Sequence, residues 1–152
     1  MANNKTFLGR GWAFPPTFRK NNAEPVAMVQ DDVDIHQSLE VLMGTVLGER
    51  VMLPGYGSDL HAYLFQSISN SEVHFLKELI RTAIVNYETR VELEEIEIDY
   101  SNYQEGIISI ALKYTVETTN TRFNLVFPYY QVEGTHIPQL YRKNIQTESA
   151  PK

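Results

Sequence analysis

The spacing of the hydrophobic residues changes near Arg90 from a helical period to strict alternation, and this change constrains the fold strongly. Before it, residues 34–90 carry apolar side chains at steps of three and four, the spacing of amphipathic helices. After it, residues 91–130 alternate apolar and polar side chains, which is typical of half-buried strands. Helices followed by a meander predict an α+β fold, with about three helices packed on a small antiparallel sheet of about three strands.

The first helix is predicted to begin at Asp34 and to end at Gly48. Asp34 and Gln37 have the three-residue spacing of a capping box, and Gly48 can adopt the left-handed conformation that ends a helix. The face expected to be buried consists of Ile35, Leu39, Leu42, Met43, Val46 and Leu47.

Two further helices are predicted before the strands. Ser58 can cap a short helix that runs to about Phe65, and Asn70 or Ser71 can cap a longer one. The buried stripe of the longer helix is expected to contain Val73, Leu76, Ile80, Ala83, Ile84 and Tyr87.

Three strands are predicted after Arg90. In the first, the alternation changes phase at Glu94–Glu95, which indicates either a β-bulge or a strand that begins only at Glu95. Pro128 is expected to end the third strand, because proline cannot donate to a ladder. The alternating residues of the second and third strands are Ile108, Ile110, Leu112, Tyr114, Phe123, Leu125 and Phe127.

The chain has 152 residues, which suits one domain. We expect this domain to cover residues 1–130, with an extended arm at 1–33, a helical part at 34–90 and the sheet at 91–130, and we expect residues 131–152 to be a surface tail. The alternative for the arm is a disordered leader. We favour packing because the arm contains four aromatic residues within a short stretch, Phe7, Trp12, Phe14 and Phe18.

Composition excludes several classes of function. Thirteen Lys and Arg against nineteen Asp and Glu give a net charge of −6, whereas a nucleic-acid binder needs a basic face. The absence of Cys excludes disulfides and thiol catalysis. No apolar run approaches the ~20 residues that span a bilayer, and the N-terminus lacks the apolar stretch of a signal peptide. We therefore expect no nucleic-acid partner and no membrane insertion.

Neither a catalytic nor a metal-binding constellation stands out. The histidines lack the i, i+4 spacing of a metal site, and the loop GYGSDLH lacks the third glycine of a dinucleotide fingerprint and the Gly-Lys-Ser/Thr of a P-loop. The acidic residues of 92–99 could supply a general acid and base, as in glycoside hydrolysis. Since alternate residues of a strand share one face, we interpret them as a solvated face instead. The prediction is a protein without catalytic residues, metal or cofactor.

Two charged pairs stand at junctions where a partner could bind. Glu49 and Arg50 precede a turn rich in glycine and proline, and Glu88 and Arg90 lie between the long helix and the first strand. Glu88 and Arg90 could close that junction by pairing with each other or with backbone groups. They could equally contact another chain, because arginine is favoured at interfaces as a bidentate donor.

Four segments stand in order along the chain: FLGRGWAFPPTF (7–18), DIHQSLEVLMGTVLGERVMLPGYGSDL (34–60), AIVNYETRV (83–91) and NLVFPYY (124–130). Together they resemble the small baseplate-wedge family of contractile phage tails and contractile injection systems. This family also bears a phage "lysozyme-like" label and includes the baseplate component of type VI secretion systems. The hallmark Glu-Pro-Arg of the family stands here as Glu88-Thr89-Arg90, so its proline is not kept.

The resemblance implies a non-enzymatic assembly protein, made in the cytosol and then built into a baseplate. It implies binding to large wedge proteins and to the tail sheath protein, with tube or hub proteins as further candidates, in about six copies per symmetric baseplate. The implied wedge contacts are Glu49, Arg50, Glu88, Thr89 and Arg90, with arm contacts at Arg10, Trp12 and Phe14. The implied template for the first sheath ring is the hairpin of residues 107–127, with Ile108, Ile110, Leu112, Phe123, Asn124 and Leu125.

Two other functions stay open. The family label leaves a peptidoglycan-cleaving, lysozyme-like enzyme as one alternative. A cytosolic regulatory adaptor is the other, because the same fold group includes an anti-adaptor that protects a stress sigma factor from proteolysis. The type of contractile machine is not specified by the sequence: a phage virion, an extracellular injection system and a cell-anchored secretion system all fit.

Overall fold

The computed structural model describes residues 8–20, 25–64 and 69–130, which form an α+β fold, as the hydrophobic pattern predicts. In chain order the elements are β1 (Arg10–Trp12), β2 (Met28–Gln30), α1 (Asp31–Gly44), α2 (Leu60–Leu64), α3 (Asn70–Tyr87), β3 (Val91–Asp99), β4 (Ile107–Val116) and β5 (Thr121–Tyr130). Two helices, α1 and α3, are long. The expected count of about three helices is not established, because the described part of the predicted short helix is helical over the five residues of α2.

The main sheet is antiparallel with the strand order β3-β4-β5. The predicted irregularity at Glu94–Glu95 is confirmed as a β-bulge: the register shifts between Leu93, which pairs with Tyr114, and Glu95, which pairs with Lys113. β5 continues through Pro128 to Tyr130, so the prediction that Pro128 ends the strand is wrong. A proline is tolerated there because β5 is an edge strand.

The core lies between the two long helices and one face of this sheet. Most residues predicted to face it are buried, and Val73, Tyr87, Phe123 and Phe127 are half-buried. The opposite face of β3 carries Glu92, Glu95, Glu97 and Asp99, all exposed, which supports their interpretation as a solvated face. The buried core includes Ile35, Leu39, Leu42 and Met43 of α1, Leu76, Ile80, Ala83 and Ile84 of α3, and Ile96, Ile108, Ile110, Leu112, Tyr114 and Leu125 of the sheet.

Helix α1 begins and ends earlier than predicted. It starts at Asp31, its N-cap Gln30 makes no side-chain cap, and the predicted capping box of Asp34 and Gln37 is wrong. It ends at Gly44, so Gly48, with φ +84°, belongs to the following loop, and Val46 and Leu47 are exposed. Helix α3 is capped one residue earlier than predicted, by Ser69 in a capping box with Glu72.

The arm packs on α1, but not through its aromatic residues as predicted. Trp12 and Phe18 are 63% and 69% exposed and contact each other edge to face. The arm is anchored instead by Leu8, which is 2% exposed, and by the antiparallel pairing of β1 with β2. Phe7 and the predicted tail 131–152 lie outside the described residues.

In the part of the chain that the structure describes, every helix is too short or too polar to cross a bilayer.

Candidate partner-binding site

Three segments of the chain meet at the side chain of Arg90. Its Nε and Nη2 atoms each lie 2.6 Å from a carboxylate oxygen of Glu88, which makes a bidentate pair. Its Nη1 atom donates to Oδ2 of Asp34 on α1 at 2.7 Å and to the backbone carbonyl of Leu8 at 2.9 Å. Arg90 therefore links the arm, α1 and the α3–β3 junction.

The backbone of the junction explains why the two charged residues face each other. Glu88 is the C-cap of α3, and its N–H donates to the carbonyl of Ile84 at 2.8 Å. The carbonyl of Arg90 accepts from the N–H of Glu117 at 3.1 Å, at the start of the β3–β4 pairing. A carboxylate at the C-terminal end of a helix is disfavoured by the helix dipole. The guanidinium of Arg90 offsets this effect, while Thr89 between them is exposed.

The Glu88–Arg90 pair is charged although Glu88 is buried. The side chain of Glu88 is 3% exposed, and burial raises its pKa. Hydrogen bonds from Arg90 and Ser38 lower the pKa by more, so the pKa of Glu88 is below its usual value. Hydrogen bonds to Glu88 raise the pKa of Arg90 above its usual value against the effect of burial, and Asp34 adds to this rise. Removing either partner would leave a charge with reduced solvation.

The loop between α1 and α2 is closed by its own hydrogen bonds. The N–H of Gly48 donates to the carbonyl of Pro54 at 2.8 Å, and Oε2 of Glu49 accepts from the N–H of Val46 at 3.1 Å. Glu49 is thus engaged by its own loop, and the loop has a defined shape.

This loop packs against the end of α3 through Tyr56. The guanidinium carbon of Arg50 lies 4.4 Å from the centre of the Tyr56 ring, a cation–π contact. The Tyr56 ring contacts Tyr87 edge to face at 5.1 Å. A side chain at Gly55 would collide with the Tyr87 hydroxyl, since an added Cβ would lie 2.8 Å from it. These contacts place Arg50 beside the junction that holds Glu88.

A shallow cleft separates the arm from α1 and the loop. The N–H of Phe14 donates to Oε1 of Gln37 at 2.8 Å and fixes one wall of the cleft. The lining residues are Trp12, Phe14, Asp34, Gln37, Ser38, Val41 and Tyr56. The cleft therefore borders both the Arg90 network, through Asp34, and the loop, through Tyr56.

Residues 29–121 match the family described as baseplate wedge protein gp25. The chain belongs to this family. The match includes the loop, Glu88 and Arg90, and it excludes β1 and most of β5.

Two solved structures are similar to this member of the baseplate wedge protein gp25 family. One is the crystal structure of a Geobacter sulfurreducens protein provisionally named a tail lysozyme, with a TM-score of 0.62 and 35% identity over 72% of this chain and 100% of that chain. The other is the six-fold symmetrised cryo-EM structure of the anti-feeding prophage baseplate, with a TM-score of 0.57 and 25% identity over 91% of this chain and 96% of that chain. No curated protein matches significantly.

The structure brings together four of the eight wedge and arm contacts that the family resemblance implies. Trp12 and Phe14 line the cleft, Arg50 reaches it through Tyr56, and Arg90 reaches it through Asp34. Glu88 lies behind Arg90, Thr89 and Arg10 are exposed, and Glu49 contacts its own loop instead.

Several residues of this site were not predicted. Asp34 was interpreted as a helix cap, and nothing local indicates its pairing with Arg90, which lies 56 positions away. Leu8 contributes a backbone carbonyl, which leaves no sequence signal. Tyr56 could have been found, because the loop GERVMLPGYG carries apolar and aromatic residues between its turn residues.

The implied sheath-template residues fall into two groups. Ile108, Ile110 and Leu112 lie on β4, which pairs with β3 and β5, and their side chains are buried in the core. Phe123, Asn124 and Leu125 lie on β5, an edge strand of this sheet. Among the described residues, none of the clusters of His, Asp and Glu could hold a metal ion.

Proposed function

We propose that this protein is a structural, non-enzymatic subunit of the baseplate of a contractile, tail-like injection machine. The observation that carries the proposal is the match of residues 29–121 to the baseplate wedge protein gp25 family. The similarity to the anti-feeding prophage baseplate structure supports it. Such a subunit is made in the cytoplasm and acts in the assembled particle.

One part of the proposed function is docking on large wedge proteins through the region around Glu88, Thr89 and Arg90. Arg90 connects the arm to the α3–β3 junction, and the cleft beside it is lined by the aromatic residues Trp12, Phe14 and Tyr56. Aromatic and arginine side chains are enriched at protein interfaces, which supports this region as a docking surface.

The second part is the addition of a sheath strand to the outer edge of β5. Within the described ranges no strand pairs with that edge. The other edge strand, β3, is less suited, because it carries a bulge and exposed carboxylates, two features that oppose strand pairing.

Pro128 indicates which backbone groups of β5 face outward. Proline in an edge strand tends to occupy a position whose backbone nitrogen faces away from the neighbouring strand. We therefore infer that the backbone nitrogen of Pro128 faces away from β4. Successive residues of an antiparallel strand direct their backbone groups to opposite sides. Asn124 and Val126 lie an even number of residues from Pro128, so their backbone groups face the same way as the nitrogen of Pro128. Their N–H groups are therefore available to an incoming strand.

A peptidoglycan-cleaving function is not favoured. Its general acid would be a carboxylic acid with a raised pKa, in a cleft. The pKa of Glu88 is lowered, its two oxygens are bound by Arg90, and the carboxylates of β3 are exposed. Burial raises the pKa of Glu40, but Glu40 is not among the residues that line the cleft.

The test is to delete the gene in its native host and to purify rod-shaped particles from wild type, the deletion strain and a strain complemented with tagged protein. We expect the tagged protein to co-purify with sheath and wedge proteins, and the deletion strain to lack sheathed rods by negative-stain imaging. Sheathed rods at wild-type yield in the deletion strain, or murein hydrolysis by the purified protein, would contradict the proposal.

A further inference from the structure

The tip of the α1–α2 loop displays apolar side chains almost completely to solvent. Val51 and Met52 are 91% and 93% exposed. The loop is nevertheless held in one shape, because Gly48 bonds to Pro54, and the N–H of Leu53 donates to the carbonyl of Arg50 at 3.1 Å. A closed loop that presents apolar residues to solvent is a feature of binding surfaces rather than of connections between helices.

This tip is connected to the aromatic cleft through Arg50 and Tyr56. Arg50 precedes Val51 and stacks on Tyr56, and Tyr56 lines the cleft together with Trp12 and Phe14. We call the set Trp12, Phe14, Arg50, Met52 and Tyr56 the arm–loop surface. All five residue types are enriched at protein interfaces, and Trp, Tyr and Arg are the types that most often dominate the binding energy.

The Glu88–Arg90 pair itself is poorly placed to contact another protein. Both carboxylate oxygens of Glu88 accept hydrogen bonds from Arg90, and Arg90 uses four of its five N–H groups on described residues. A partner could engage these groups only by breaking charge-assisted bonds that are already made. What the pair does is hold Leu8, and with it the arm that carries Trp12 and Phe14.

We propose that the arm–loop surface is the face that binds a second baseplate protein, and that Glu88 and Arg90 act behind it as positioning residues. This inference rests on the proposed docking function and names the contact residues of that site. It differs from a model in which Glu88 and Arg90 contact the partner directly.

The chemistry of the surface specifies its partner as a protein face with an apolar side chain beside a carboxylate. The apolar side chain fits against Met52 and the aromatic cleft. The carboxylate fits Arg50, whose guanidinium lies over Tyr56 and forms no ion pair with any described residue. Glu49 accepts a hydrogen bond from the backbone of its own loop instead.

A photo-crosslinking experiment tests the contact. The amino acid p-benzoylphenylalanine is placed at Met52, and in a control protein at Phe75, which is also exposed but lies on α3. Each tagged full-length protein is expressed in the native host and crosslinked in purified particles. We expect the Met52 position to crosslink to a non-sheath baseplate protein, in a peptide that contains Asp or Glu, and the Phe75 position not to do so.

Reversing the charge of Arg50 tests whether the partner presents a carboxylate to it. Arg50→Glu should lower the Met52 crosslink at least about tenfold, as expected for an interface hot spot. Particles that contain the protein but give no Met52 crosslink, or one to the sheath or to a second copy of this chain, overturn the inference alone. Particles that never contain the protein overturn the proposed function as well.

An engineered disulfide tests whether Glu88 and Arg90 position the arm or contact the partner protein themselves. The chain contains no cysteine that could interfere. A Cβ added at Gly11 would lie 3.3 Å from Cγ of Asp34, so Gly11→Cys with Asp34→Cys can join the arm to α1. The disulfide is introduced into a background variant that carries Glu88→Gln and Arg90→Ala. The measured quantity is the binding of each protein to particles purified from a host that lacks this protein.

We expect the background variant to bind these particles weakly, the oxidised disulfide form to recover binding, and reduction to abolish the recovery. If Glu88 or Arg90 contacts the partner itself, the oxidised form will stay as weak as the background variant, which overturns the positioning role. The fluorescence anisotropy of Trp12, the single tryptophan of the chain, reports whether the arm is fixed in each form.

Discussion

The Nη1 atom of Arg90 lies 2.9 Å from the backbone carbonyl oxygen of Leu8, which is 82 positions earlier in the chain. The same nitrogen contacts Asp34, so one side chain at the helix–strand junction orders the arm and the first turns of α1. Because this bond is to a backbone atom, it depends on the position of Leu8 and not on its side chain.

Arg90→Ala should destabilise the protein strongly. It leaves the buried Glu88 carboxylate without its partner, and loss of one member of such a pair costs about 2–4 kcal/mol when the pair is partly exposed. Chemical denaturation measures the free energy of unfolding. Arg81→Ala, which removes an exposed ion pair with Glu78, is the control and should change this free energy by less than ~0.5 kcal/mol. Equal effects of the two substitutions would show that the Arg90 network is not a structural anchor.

The Glu88–Arg90 pair predicts a specific pH dependence. The pKa of Glu88 is below its unfolded value of about 4.5, so the unfolded chain binds more protons in the range between the two values. Stability from this group is therefore complete above about pH 4.5 and is lost as the pH falls through the lower, folded pKa. Thermal unfolding between about pH 3 and 6 should show a flatter acid limb for Glu88→Gln than for wild type.

Arg90→Gln provides the matched control for this pH dependence. Without the guanidinium, burial raises the pKa of Glu88 with less opposition, so this pKa lies closer to its unfolded value than in wild type. The contribution of Glu88 to the slope of stability against pH should then be smaller than in wild type. An acid limb with the wild-type slope in both variants would mean that other carboxylates control acid unfolding.

Sequence patterns predicted the parts of the fold that depend on local periodicity. The alternation in β4, the buried stripe of α3 and the bulge near Glu94 were all predictable, because each follows from which side chains must avoid water. The predicted limits of α1 were wrong. It follows β2 directly, with Asp31 at φ +58°, so tertiary contacts with the arm and not a local cap determine where it begins.

The candidate site was predictable only in part. Glu88 and Arg90 stood out because they lie between the helical spacing of residues 34–90 and the strand alternation of residues 91–130. Their partners Asp34 and Leu8 did not, since hydrogen bonds between distant segments depend on the assembled fold. The exposure of Trp12 was not predicted either, because aromatic content alone does not distinguish a residue that anchors the arm from one that is presented to solvent.

Tyr129 anchors β5 to the end of α1 and should be sensitive to loss of its hydroxyl. The hydroxyl donates to the carbonyl of Met43 at 2.5 Å, and Tyr129 is 3% exposed. Tyr129→Phe should lower the free energy of unfolding by about 1–2 kcal/mol. The hydroxyl of Ser58 also donates to this carbonyl, at 3.1 Å, and limits the cost. A loss below ~0.5 kcal/mol in denaturant unfolding would contradict an anchoring role.

The exposed loop tip should tolerate polar substitution without loss of stability. Met52 is 93% exposed, so Met52→Ser removes no buried contact and should change the free energy of unfolding by less than ~0.5 kcal/mol. Binding to particles from a host that lacks this protein should fall, since the substituted side chain belongs to the arm–loop surface. Ala62→Ser, at another exposed position, is the control and should leave binding unchanged.

The edge of β5 offers a test of sheath initiation that leaves the fold intact. The N–H of Val126 faces away from β4, as inferred from Pro128. Val126→Pro therefore removes one N–H donor from the outer edge of β5 but none from the ladder with β4. Val126→Thr is the matched control, because it keeps the N–H and the β-branched shape. We expect Val126→Pro to be folded and to enter baseplates.

The sheath should fail to form on baseplates that contain Val126→Pro, since an added strand needs successive backbone donors. Counts of sheathed and bare tubes by negative-stain imaging measure this, with circular dichroism as the check on folding. If folded Val126→Pro gives as many sheathed tubes as Val126→Thr, the sheath does not begin on this edge. The outer edge of β3 would then be the remaining candidate in the three-stranded sheet.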